Sequence, residues 1–261
     1  VNIAKLKWEL LRDPLAKINR AKKHITDLNG QITEYLADNP FELRIRQRSE
    51  PADRLIYVKA KPAIPNDFAL IIGDAVHNLR TALDFICYSI ASPKAPNRSK
   101  IGFPFVGRAE NLAGAINTRQ MNVAPKHVID EIHALQPYPD GNKYLHAVKS
   151  MDERDKHHFI ILVGYGIELT LEQLRVLVGP EQAAGVPAGV GKVSTLGDFI
   201  VILRGHGPVE SFDRKADFQP PFFIGFGPTE ALIGQQVIPA LKAMVDAAED
   251  AVYRIARAYF Q

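Results

Sequence analysis

A chain of 261 residues with 46% hydrophobic content can bury on the order of 70% of its unfolded surface and reads as a soluble globular protein. Its formal charge of +3 is too small to imply nucleic-acid binding by itself, and its single cysteine, Cys87, excludes an internal disulfide. No apolar run approaches the roughly 20 residues of a membrane helix and no stretch resembles a signal peptide, so a reducing cytoplasm is the expected compartment, with no membrane partner.

In chain order, Asp13 and Pro14 read as a helix start, a carboxylate cap followed by a residue whose missing N–H costs nothing in a first turn. Leu15, Ile18, Ala21, Ile25, Leu28, Ile32 and Tyr35 then recur at three- and four-residue steps up to a stop at Asn39-Pro40, and residues 2–12 add a separate turn or two. The period next changes to two. Phe41, Leu43 and Ile45 alternate with Glu42, Arg44, Arg46 and Arg48, and Ile56, Val58 and Ala60 alternate with Tyr57, Lys59 and Lys61. This predicts a hairpin with one apolar and one basic face. Residues 1–61 carry 13 Lys/Arg against 8 Asp/Glu. The basic face could follow a phosphate backbone, although charge that guards a strand edge explains it as well.

A second long helix is expected from a cap at Asn66 or Asp67 to about Ser92, where SPKAPNRSK breaks it. Shorter helices are expected at 109–118, 125–135 and 142–154. Strand candidates follow: HFIILVGYG, LRVLVG, GDFIVILRG and PPFFIGFG, with EQAAGVPAGVGK as a loop. Val237, Leu241, Met244, Val245, Ala248, Val252, Ile255 and Tyr259 mark a C-terminal helix, with a bend at Pro239. The resulting architecture is α+β in a single domain. Its helical core covers 14–38, 66–155 and 229–260, and an antiparallel sheet is built from the early hairpin and a strand-rich insertion at about 158–226.

The stretch GDAVHNLRTALDF (73–85) carries the chemistry. Phe68, Ile72, Ala75, Leu79, Leu83, Ile86 and Ile90 form an apolar face, and Asp74, His77, Arg80, Thr81 and Asp84 lie opposite. His77 and Arg80 are three residues apart and Arg80 and Asp84 four, which makes an Arg80–Asp84 ion pair available. Leu70 and Tyr88 share the polar sector, above and below it, so the patch is expected to be covered. A second cluster, LHAVKSMDERDKHHFIILV, places Asp152, Asp155, Lys156, His157 and His158 at a helix-to-strand junction, a place where folds mount functional side chains. The predicted site is His77, Arg80 and Asp84 facing Asp155 and His157.

Histidine can exchange a proton near neutrality, and arginine can hold a phosphate or carboxylate at two points. The same residues could instead form a buried network that fixes helix packing, or an exposed ion pair of little energy. A site of His77, Asp84, Asp155 and His157 would also offer a divalent metal the N and O donors it takes. GVGKVS is no phosphate loop, because Val186 and Val193 stand where that motif needs glycine and a hydroxyl. No HExxH spacing occurs, and Cys87, flanked by Ile86 and Ile90, reads as a packed thiol.

The two clusters resemble a family of uncharacterised bacterial proteins in which a helix reading approximately GDALHNLRSALDH is followed by FP, QPY and LDxxDKHR segments. The counterparts here are GDAVHNLRTALDF (73–85), FPF (103–105), QPY (136–138) and MDERDKHH (151–158). The family pattern RSALDH in turn resembles the Arg-x4–6-His mark of HEPN domains, helical modules often found as metal-independent ribonucleases. This chain has Arg80 but Phe85 in place of that histidine, so His77 or His157 would take over proton transfer, or the protein would bind without catalysis. The resemblance implies a protein that acts on or binds RNA or another phosphate-bearing ligand; no cofactor is expected, and apolar surface exposed on the terminal helices would make the chain a homodimer. The competing expectations are a non-catalytic scaffold or partner-binding protein and a metal-dependent hydrolase.

Overall fold

The computed structural model describes residues 3–47, 53–60, 64–157, 161, 163–168, 192–195, 199–204, 213–215, 222–227 and 231–261. The described elements are helices α1 (Ile3–Ala37), α2 (Asn66–Ala91), α3 (Leu112–Thr118), α4 (Lys126–Leu135), α5 (Lys143–His157) and α6 (Val237–Tyr259). The strands are β1 (Phe41–Gln47), β2 (Asp53–Ala60), β3 (Val163–Glu168), β4 (Lys192–Thr195), β5 (Phe199–Arg204), β6 (Asp213–Lys215) and β7 (Phe222–Phe226). Helix dominates, and every strand pairing is antiparallel. The chain divides into two compact units: Val1–Leu28, Ala69–Ile161 and Ile238–Gln261 form the first, and Asn29–Phe68 and Leu162–Val237 the second.

The first unit is helical. Ile18, Leu28, Ile72, Leu79, Leu83, Ile86, Phe103, Met121 and Ile132 are fully buried in it. Two cross-links join its helices at the rim: Lys22 of α1 to Glu249 of α6 at 2.8 Å, and Arg254 of α6 to Glu131 of α4. Helix α1 corrects the expected start at Asp13. It runs unbroken through Pro14, which is buried inside it. A proline there removes one backbone hydrogen bond and costs about 3 kcal/mol. Burial of Leu10 before it and of Ile18, Ala21, Ile25 and Leu28 after it offsets that loss. The helix ends as expected, with Asn39 at φ 48° and its amide N–H on the Leu36 carbonyl at 3.1 Å.

Helix α2 begins at Asn66, close to the expected start, and ends at Ala91, with Ser92, Lys94 and Ala95 amides bonding back to the last turn. Cys87 is fully buried, and burial pushes its thiol well above the ordinary value. The expected helix at 109–118 is a 3₁₀ turn, Ala109–Asn111, leading into α3. At the C-terminus α6 starts at Val237 rather than 229. Gly234 takes φ 70° there, and its N–H donates to the Phe226 carbonyl, so the preceding residues form a turn. Pro239 therefore lies in the first helical turn, where no N–H is needed and no bend follows.

The second unit holds two sheets rather than one, with strand orders β5-β2-β1-β6 and β4-β3-β7. The hairpin registers Phe41 against Ala60 and Gln47 against Arg54. Its outer neighbours come from the late segment, β5 beside β2 and β6 beside β1. Phe41 stacks on Phe222 at 4.6 Å and edge-on to Tyr35, which also meets Phe68. The side chains expected to make the basic face, the LRVLVG strand and most of the EQAAGVPAGVGK loop lie outside the described residues. Strand β6 carries no apolar alternation of its own and exists by pairing with β1.

Candidate functional site

The polar stripe of α2 divides between two neighbourhoods within the first unit. Toward the C-terminal end of α2, Arg80 turns inward: its side chain is nine-tenths buried. Its Nε–H donates to Asp84 Oδ2 at 3.1 Å, and its guanidinium lies 4.6 Å from the centre of the Phe105 ring. Asp84 uses its other oxygen on the backbone, accepting the Phe103 N–H at 2.8 Å. Gly102 permits this approach, because a Cβ there would lie 3.0 Å from the same oxygen. The expected Arg80–Asp84 pair thus forms, and it fastens the FPF segment to the helix. Arg80 Nη1 is buried without a hydrogen-bond partner.

Toward the N-terminal end of α2, His77 and Asp152 come together from positions 75 residues apart, with Nδ1 and Oδ1 at 2.9 Å. The imidazole is about half exposed (47%), whereas Asp152 is almost wholly buried (6%). An ionised carboxylate only accepts, so Nδ1 carries the proton and Nε2, the other ring nitrogen, is left as the acceptor. Asp152 Oδ2 accepts from Lys156 Nζ at 2.9 Å, one helical turn along α5. The sequence reading placed Asp155 and His157 opposite His77 and gave Asp152 no role. The signal was present: Leu145, Val148 and Asp152 recur at three- and four-residue steps on a buried face of α5, where a carboxylate needs a partner.

Asp155 sits against α2 at Gly73. A Cβ on that glycine would come within 2.8 Å of both carboxylate oxygens. Burial, and then the nearby carboxylates of Asp152 and Asp74, raise the Asp155 pKa, while His77 and Lys156 oppose that shift. A carboxyl raised on folding binds protons in the native state that the unfolded chain has released. Stability is therefore lost as pH climbs from the ordinary Asp value through the raised one. Asp155→Asn is accordingly expected to raise the melting temperature at pH 7, the gain shrinking as pH falls through the raised pKa toward the ordinary Asp value; melting curves at pH 4 and pH 7 check it.

His157 closes α5, and its side chain lies outside the described residues. Among the described residues no three His, Cys, Asp or Glu side chains converge as a metal site, and no helix is long and apolar enough to cross a membrane. Leu70 and Tyr88 are about half exposed, 50% and 46%, so the stripe is open where a cover was expected. Between them His77 meets Asp152 of α5, whereas Arg80 and Asp84 meet the Phe103–Phe105 segment, so these contacts form without a lid. Comparison of the chain with protein-family models, curated proteins and solved structures returned no match.

Proposed function

We propose that the protein acts on RNA or another phosphate-bearing ligand at the exposed edge of His77, as a HEPN-like protein whose proton-transfer histidine lies at 77 in place of the missing one at 85. The observation that carries this reading is the pairing of a half-exposed imidazole with a buried carboxylate, His77 Nδ1 to Asp152 Oδ1 at 2.9 Å. A carboxylate behind Nδ1 fixes the ring and its tautomer and stabilises the imidazolium that forms when Nε2 accepts a proton. On an RNA strand the proton comes from a ribose 2′-hydroxyl. Its oxygen bonds to the adjacent phosphorus as the bond to the 5′-oxygen breaks, and that oxygen takes a proton in turn. Water at the half-exposed ring can supply it. Lys156, paired with the other oxygen of Asp152 and partly exposed, contributes positive charge beside the dyad.

The test is cleavage of an end-labelled RNA, with chelator present, by the native chain and by His77→Ala. Product from the native chain that falls about 10²- to 10⁴-fold in the variant, at unchanged melting temperature, supports the reading. Equal cleavage by both, or none by either, overturns it as a catalytic assignment.

A second reading, a non-catalytic partner-binding protein, is favoured by a different observation. Arg80 and Asp84 spend their hydrogen bonds and ring contact on the Phe103–Phe105 segment, as a packing network does. Under it His77→Ala leaves RNA binding and every activity unchanged.

A further inference from the structure

We infer that the exposed face of α2 is a track for a single-stranded polynucleotide, with Phe85 and Tyr88 stacking on its bases and Lys17 and Arg20 of α1 meeting its phosphates. This inference rests on the reading of His77 given above and names the form of the ligand. At about 100° per residue, Asp74, His77, Thr81, Asp84, Phe85 and Tyr88 fall within one arc of α2. Each of them is exposed or partly exposed, with Phe85 at 38% and Tyr88 at 46%. Aromatic rings left in water on the same face as a proton-transfer group differ from the rest of α2, whose other large apolar side chains from Ile72 to Ile90 are buried.

Helix α1 supplies the charge. Lys17, Arg20 and His24 recur at three- and four-residue steps. Lys17 Nζ lies 6.0 Å from the Phe85 ring centre, and His24 interacts electrostatically with Asp74, so this row runs beside the α2 stripe. Among the described residues neither Lys17 nor Arg20 forms an ion pair, and Asp13, the acid on the same side of α1, is already held at two points by Arg12. A row of cations alongside exposed rings suits a backbone that carries regular negative charge and bases that present flat faces. Phe85 and Tyr88 lie eight and eleven residues from His77, about 12 and 16 Å along the axis at 1.5 Å per residue. That span is longer than one nucleotide, so a strand of several nucleotides satisfies both places and a mononucleotide does not. A duplex hides its base faces and fits poorly.

The experiment is fluorescence anisotropy of the full chain with a labelled 12-nucleotide RNA, the DNA strand of the same sequence and the matching RNA duplex. The native chain should bind the single strands at least about tenfold more tightly than the duplex, and a preference between RNA and DNA reports contact with the 2′-hydroxyl. Phe85→Ala/Tyr88→Ala should weaken single-strand binding by about tenfold or more with its melting temperature kept, because both rings are already exposed. Lys17→Gln/Arg20→Gln should weaken it and flatten the log–log salt dependence by about 1.4, the share of two phosphates. Binding by Phe85→Ala/Tyr88→Ala equal to the native chain, or equal affinity for strand and duplex, overturns the inference. So does self-association that the aromatic variant abolishes in the absence of strand binding, which would assign the face to a second copy of the chain. His77→Ala separates the two proposals: strand binding that survives in it without any cleavage by the native chain keeps the track and removes the catalytic reading. Cleavage that depends on His77 but ignores the two rings does the reverse.

Discussion

Asp152→Asn is expected to lower the rate of any His77-dependent reaction by about 10²- to 10⁴-fold while leaving the fold intact. The amide is the same size and fits the same buried place on α5. Its oxygen can still accept from Lys156 Nζ, which now sits at 2.9 Å from the carboxylate. The amide nitrogen then faces His77 Nδ1 and donates to it, so the ring proton moves to Nε2. An imidazole protonated at its exposed nitrogen cannot accept a proton there, and the imidazolium has lost its counter-charge. Asp152→Ala makes a useful contrast. It frees His77 and Lys156, both open enough to rehydrate at 47% and 41% exposure, so its stability cost stays near 1–2 kcal/mol. Single-turnover rates and melting curves of the two variants check this: equal rates for Asp152→Asn and the native chain would remove the dyad from the chemistry.

Arg80→Ala is expected to have the largest effect on stability, about 3 kcal/mol, lowering the melting temperature by roughly 6–12 °C in a protein of this size. The loss has two parts. Asp84 is left without its cation, although at 35% exposure it recovers some hydration and keeps the Phe103 N–H. Phe105 loses the guanidinium stacked on it, which is worth about 0.5–2 kcal/mol by itself. Arg80→Lys keeps the charge but not the planar stack or the Nε geometry, and should recover about half of the loss. Thermal melts of the three proteins decide this, and an Arg80→Ala protein as stable as the native chain would show that the fastening of the FPF segment contributes nothing.

Much of the helical unit is legible in the sequence because its cause is local. The start of α2 at Asn66, its apolar period and the four-residue spacing of Arg80 and Asp84 each depend on a few neighbouring residues, and each appears where expected. What sequence reading misses depends on distant contacts. Pro14 reads as a start because nothing near it reveals that Leu10 and Ile18 are both buried and hold the helix together across it. Strand β6 has no pattern of its own, since β1 supplies its pairing. At the site, chemistry drew attention to Asp155 and His157, the groups nearest the strand junction, whereas the partner of His77 is the carboxylate that faces the core. Burial decides that choice, and burial is a property of the whole packed unit.

The contact at Gly73 has a consequence for anyone improving this protein. A glycine inside a helix is the first residue that stability engineering replaces, since alanine favours helix by about 1 kcal/mol. Here a methyl group would collide with the Asp155 carboxylate at 2.8 Å and push it off α2. Moved into water, that acid would ionise more readily, so a substitution made for the sake of the helix would alter the titration of the group beside His77.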